Sequence, residues 1–224
     1  MSAPKIELVA PDGEAPTMDL SRQRTADLLR VSLGAVSALE ASGYLPDRAL
    51  QRVLALAQAP FVRSVDTPLP ILRQGAAAPA PAGDPHRSKI GDASFMSDAE
   101  VLLADCMWWR ANAAAIVDAG ILPVARSGFI VTVLRIDDLA ETVTVDVPAT
   151  EKRGAYREVR HRFQARLAGR VGELGNPTTY LLKDPTVETA YQNLTGQLLG
   201  KRSAAVSGGP LAYLPMSTAG NPTI

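Results

Sequence analysis

The chain has one cysteine and two histidines in 224 residues, and each scarcity excludes something. Cys106 alone cannot form an internal disulfide, and with His86 and His161 it falls short of a zinc finger's four ligands. Aromatic residues are 5% against a hydrophobic content of 46%, so a core has to be built mainly from Ala, Leu and Val. No apolar run approaches the roughly 18–20 residues of a membrane span. Met1 to Pro11 lack the basic start and continuous apolar stretch of a secretory signal. The expectation is a cytoplasmic, reduced protein with no membrane partner. An excess of charge is missing too, with 23 Lys and Arg against 23 Asp and Glu. That balance argues against a wholly basic nucleic-acid coat protein and against an acidic disordered regulator, and leaves open charge segregated along the chain.

Shifts in composition divide the sequence. Residues 1–16 hold three prolines and mixed charge without a period, and read as a flexible arm. Residues 17–63 carry a compact helical pattern. Residues 64–92 read as an extended segment and linker, because the stretch QGAAAPAPAGDPHRSKIGD favours extended conformations and offers little to bury. Residues 93–202 form an expected α+β domain, and residues 203–224 a tail. The expected fold is therefore a small helical unit joined by an Ala/Pro-rich linker to a domain with leading helices and a mainly antiparallel sheet.

Local signals place the elements. Arg22 to Arg30 puts Ala26 and Leu29 on one face, and Ser32 can cap a following helix that runs through Ser42 and stops at Gly43. Pro46 and Asp47 open a third helix with Leu50, Val53, Leu54 and Ala57 at helical spacing. Ser97 and Glu100 have the form of a capping box, and the helix after them is expected to reach about Arg110, carrying Trp108 or Trp109 into a core. A shorter helix, Ala113 to Ala119, ends at Gly120. The period then changes to two. Residues 129–136 (FIVTVLRI) and 142–147 (TVTVDV) read as strands joined by an acidic turn at 137–140, and Glu158 to Val171 and Thr178 to Leu182 complete four strands.

The stretch RQRTADLLRVSLGAVSALEASGYLP, Arg22 to Pro46, resembles the helix-turn-helix of excisionase and MerR-type DNA-binding proteins. The resemblance rests on the small Ala26, the apolar Leu29, Val31, Val36 and Leu39, the Val-Ser turn and the Gly-x-Leu-Pro ending, and it covers about a fifth of the chain. It implies that Ser32 to Ser42 is a recognition helix for the major groove of double-stranded DNA. It further implies that Ser32, Leu33, Gly34 and Ser37 face bases while Arg22, Arg24 and Arg30 reach phosphates. The turn carries Arg30 where glycine is common, which suits a turn without positive φ. The other reading of the segment is a three-helix packing or dimerisation module, since residues 1–70 hold seven cations against eight anions.

A second feature is basic. Lys152 to Arg170 holds seven cations against Glu158 alone. Read as a strand, it turns Val159, His161, Phe163, Ala165 and Leu167 one way and Arg160, Arg162, Arg166 and Arg170 the other. Four guanidinium forks on a solvent face could track a phosphate backbone; equally, they could be a solvated edge whose charges discourage sheet pairing.

Catalysis is not expected and no cofactor is implied. Gly196 to Arg202 has the wrong spacing for a phosphate loop, His161 lacks an orienting carboxylate, and Cys106 reads as a core thiol. The expected function is sequence-specific binding of double-stranded DNA, by a transcriptional regulator or a mobile-element accessory protein that could act as a homodimer. The alternative is a structural or assembly protein whose two parts make protein contacts.

Overall fold

The computed structural model describes residues 18–149, 154–204 and 209–217; the expected arm at 1–16 lies outside them. Three short helices come first: α1 (Arg22–Leu29), α2 (Leu33–Ala41) and α3 (Leu50–Ala57). Four strands follow, β1 (Phe61–Val62), β2 (Pro70–Arg73), β3 (Ala78–Pro79) and β4 (Lys89–Ile90). Next are α4 (Asp98–Cys106), β5 (Met107–Trp109), α5 (Ala113–Ala119), β6 (Ile121–Arg126), β7 (Phe129–Val147), β8 (Tyr156–Val171) and β9 (Tyr180–Leu182). The last elements are α6 (Thr189–Leu198), β10 (Arg202–Ser203) and β11 (Leu211–Tyr213).

The class is α+β, but the sheet is larger than expected and mixed. Nine strands join it, with β1-β10-β7-β6-β2-β11 along one path and β5, β8 and β9 branching from β7. The expectation of a mainly antiparallel sheet is corrected by two parallel pairings, β1 with β10 and β2 with β6. Parallel neighbours need a long crossover, and α4 and α5 supply one between β2 and β6. Strand β2 comes from the stretch read as linker, where Ile71 and Leu72 are fully buried. The Ala/Pro-rich part that follows is largely exposed and folds only as the small β3–β4 pair. Strands β10 and β11 likewise take in residues 202–203 and 211–213, the latter from the expected tail.

Both faces of the central strands are covered. Along β6 and β7, Ile121, Val131 and Val133 enter one buried cluster, and Leu122, Leu134 and Ile136 enter the other. The first cluster holds the apolar face of all three N-terminal helices, including Leu29, Val36, Leu39, Val53 and Leu56, together with β7, β8 and α6. The second holds α4, β5 and α5. The helices thus share a core with the sheet. Between β6 and β7 the chain reverses at Ser127 and Gly128, both at positive φ, the backbone that a two-residue hairpin turn requires and that glycine adopts freely.

Several local expectations change. The capping box of α4 is present, with Ser97 and Glu100 bonded reciprocally, but the helix stops at Cys106. Met107–Trp109 pairs with Arg162 and His161 of β8 instead, and the Trp109 Nε1 donates to the Asp105 carbonyl at 2.8 Å. The acidic turn at 137–140 does not form. Residues 129–147 are one strand that bulges near Asp138 and again near Ala140, which lets it bend while staying paired. The third helix begins at Leu50, later than Pro46 and Asp47, because the Asp47 carboxylate accepts from the Ala49 amide and holds a turn first. No helix among the described residues is long and apolar enough to cross a membrane.

Candidate nucleic-acid interface

Helices α1 and α2 are joined by a short turn at Arg30. Ser21 caps α1, accepting from the Arg24 amide at 3.2 Å. Ser32 caps α2, accepting from the Ala35 amide at 3.1 Å. Between them Arg30 sits at φ 53° and ψ 48°, the left-handed region that was not expected of this turn. The reason is the hydrogen-bond pattern. The Val31 amide donates to the Ala26 carbonyl at 3.1 Å and the Arg30 amide to the Asp27 carbonyl at 3.2 Å. That crossed pair closes a helix only when the residue at Arg30's place is left-handed. Val31 then packs against the first cluster.

This geometry divides the motif into a buried and an open side. Ala26, Leu29, Val36 and Leu39 are buried, while Ser32, Leu33 and Gly34 are exposed and Ser37 is half-buried. Leu33 is 47% exposed, a large apolar side chain at the start of α2. Arg24 and Arg30 are exposed and have no carboxylate partner among the described residues. Arg22 does have one: its Nε lies 2.6 Å from Glu40, which Arg48 also contacts. Partial burial pushes the Glu40 carboxyl up, but the two guanidiniums outweigh it and hold it below the usual carboxylate range.

A further cation stands under the turn. Arg202 is buried, its Nη2 donates to the Leu29 carbonyl, and its guanidinium carbon lies 4.5 Å from the centre of the Phe61 ring. It caps an open end of α1 at the negative pole of the helix. Burial, and after it the neighbouring Arg30 charge, push its pKa down. Arg30 and Arg202 thus both bring positive charge to the turn, and neither has an ion-pair partner among the described residues. Nothing near Arg202 in the sequence announced this, because its partner is 173 residues away.

The basic strand behaves in the opposite way. Arg162 meets Glu141 at 3.1 Å, Arg166 meets Asp137 at 2.8 Å, Arg160 meets Glu158 at 2.6 Å and Arg157 meets Asp146 at 3.0 Å. Three of these carboxylates belong to β7, which pairs with β8 along its length. Arg170 is not on a solvent face at all. It is 6% exposed and donates to the carbonyls of Ala93, Ser94 and Met96 and to Asp98, fastening the chain that enters α4 over the sheet. The arginines of residues 154–170 are thus each paired with a carboxylate, three of them on the acidic strand beside them.

One more polar group is buried where the helical unit meets the sheet. The Tyr44 hydroxyl donates to Asp92 Oδ1 at 2.6 Å and the Thr132 hydroxyl to Asp92 Oδ2 at 3.1 Å. Nearby, Gln74 Nε2 donates to Asp105 Oδ1 at 2.6 Å. Burial pushes both carboxyl pKa values up, and for Asp105 the Asp92 charge adds to it. The Cys106 thiol is likewise pushed up by burial, to about 11. The two carboxylates are fully buried.

Comparison with protein-family models, curated proteins and solved structures finds no match.

Proposed function

We propose that the chain binds double-stranded DNA through α1, the Arg30 turn and α2, as a regulator or a mobile-element accessory protein. The N-terminal helices act as a helix-turn-helix unit, with the start of α2 in the major groove. The observation that carries the reading is the uncompensated charge at the turn. Arg30 is exposed with no carboxylate partner among the described residues, Arg202 lies beneath it, the open residues Ser32, Leu33 and Gly34 follow it, and Arg24 is likewise exposed nearer the start of α1. Arg22 can exchange its exposed pair with Glu40 for a phosphate at little cost. The apolar and hydroxyl side chains at the helix start suit thymine methyls and phosphate oxygens better than guanine edges.

The proposal moves the contact away from the basic strand, whose forks are already occupied. Fluorescence anisotropy with mixed-sequence duplexes tests it. About three phosphate contacts give a log–log salt slope of roughly −2 to −3. Arg24→Ala with Arg30→Glu abolishes binding, whereas Arg160→Ala, Arg162→Ala and Arg166→Ala together leave it nearly unchanged. Absence of duplex binding at low salt overturns the reading. An assembly role through protein contacts would then stand ahead, favoured by the exposed ribbon of β7 and β8.

A further inference from the structure

A cleft of about 670 Å³ opens beside α5. Its other wall comes from the segment that leads into β2 and the segment that leaves β11. These two segments are fastened to each other. The Ser64 amide donates to the Pro215 carbonyl at 2.9 Å, the Ser217 amide to the Ser64 carbonyl at 2.6 Å and the Leu214 amide to the Leu69 carbonyl at 2.9 Å. On α5, Ile116 is buried in the core, while the small Ala115 and Ala119 line the cleft and leave room in it. The walls are thus fixed by backbone bonding on both sides, so little ordering is needed to receive a guest.

The lining is apolar but for one charge. Pro68, Tyr213, Leu214 and Met216 line it, and Tyr213 and Met216 are 44% and 39% exposed. The charge is Asp118, exposed in the last turn of α5 and without a hydrogen bond or ion pair among the described residues. With Thr67, Pro68 and Ala119 it also lines an adjoining cleft of about 570 Å³, where Asp66 and Arg63 are the other charges. Arg135 reaches the Gly120 carbonyl at this helix end, but it pairs with Glu188 and lines neither cleft.

We propose that the first cleft binds a small organic cation, an amine carried on an aromatic or aliphatic body. The ammonium sits at Asp118 and the body lies against Tyr213, Leu214 and Met216. Charge selects this guest. An anion would meet Asp118 with no cation in the cleft to offset it, and a metal ion would find one carboxylate among apolar walls. A neutral apolar guest would fill the same walls but strip water from the carboxylate without replacing it. An ammonium replaces that water with charge-assisted hydrogen bonds, and the Tyr213 ring offers it a second attractive face. The flexible thioether of Met216 adapts to bodies of different outline. The volume falls within the range of pockets that enclose small molecules. The inference rests on this cleft alone and stands whether or not the helices bind DNA.

Titration of the full chain with tryptamine and with phenethylamine, followed by amide NMR shifts, tests it. Saturable shifts are expected at Ala115, Asp118, Ala119 and Leu214, with dissociation constants of about 1 mM or lower. The matched alcohols, tryptophol and phenethyl alcohol, should bind at least about tenfold more weakly. Asp118→Asn should weaken amine binding about tenfold, whereas Asp66→Asn, which removes the same charge from the adjoining cleft, should change it less than about twofold. Circular dichroism melting of both variants should match the parent, because both side chains are exposed. Met216→Ala should weaken amine and alcohol alike. No saturable shift with either amine, alcohols that bind as tightly as amines, shifts centred outside the cleft, or Asp118→Asn binding like the parent would each overturn the proposal.

Discussion

At Arg30, stability and the DNA binding proposed above pull in opposite senses. Its left-handed backbone closes α1 and aims Val31 into the core, at a steric cost of about 1–2 kcal/mol for a residue with a Cβ. Glycine adopts that conformation without the clash. Arg30→Gly is therefore expected to raise unfolding stability by about 1 kcal/mol in urea titrations, while weakening duplex binding severalfold at low salt. Loss of stability in this variant would mean that the guanidinium, and not the capping geometry, matters most to the fold. The sequence marked the residue but misjudged its backbone. A helix end of this kind shows itself in the hydrogen bonds of Ala26 and Asp27, not in the identity of the residue that makes the turn.

Among the elements, β8 joins two environments in one strand. Its near end, Leu167 to Val171, is buried, and its far end is exposed to solvent. The regular alternation of arginines gives no sign of the boundary. Arg170 has the same spacing as a surface residue but holds three backbone carbonyls and Asp98 at the root of α4. Arg170→Ala is expected to cost about 3 kcal/mol or more, since it strands buried acceptors. Arg157→Ala, at an ion pair whose side chains are 79% and 83% exposed, should change stability by less than about 1 kcal/mol. Chemical denaturation of the two variants decides whether the strand is as divided as its burial indicates. The caps of α2 and α4 were legible, because Ser32 and Ser97 act within three residues; Ser21 and Asn112, which cap α1 and α5 in the same way, were not read. The end of α4 was not legible, because the pull on Met107–Trp109 comes from β8, more than fifty residues later.

For the whole molecule, the shared cluster is the main consequence. Leu29, Val36, Leu39 and Leu56 from the helices and Phe129, Val131 and Val133 from β7 bury one another, and β2 crosses from the helical end into the sheet. Tyr44 and Thr132 meet on Asp92 in the same place. Helices and sheet are thus expected to unfold in one cooperative transition, seen as coincident circular dichroism and Trp fluorescence curves. Cleavage between residues 75 and 90, the exposed Ala/Pro stretch, should not release an independently stable helical fragment. Two separate transitions would instead show that the helices fold by themselves.

Composition and local pattern by themselves determined the α+β class, the positions of the capped helices and the period-two runs of β7 and β8. Each of these is decided by residues within about one turn or one hairpin of each other, where the chain has little entropy to lose. The tertiary structure alone decided which charges remain free. The formal charges along residues 152–170 looked like a binding face until the carboxylates of β7 came to lie beside them. Arg202 returns to the turn at Arg30 from far along the chain, and only the fold brings these two charges together. Charge acts through space, so its sum over a segment says little until the fold sets the distances.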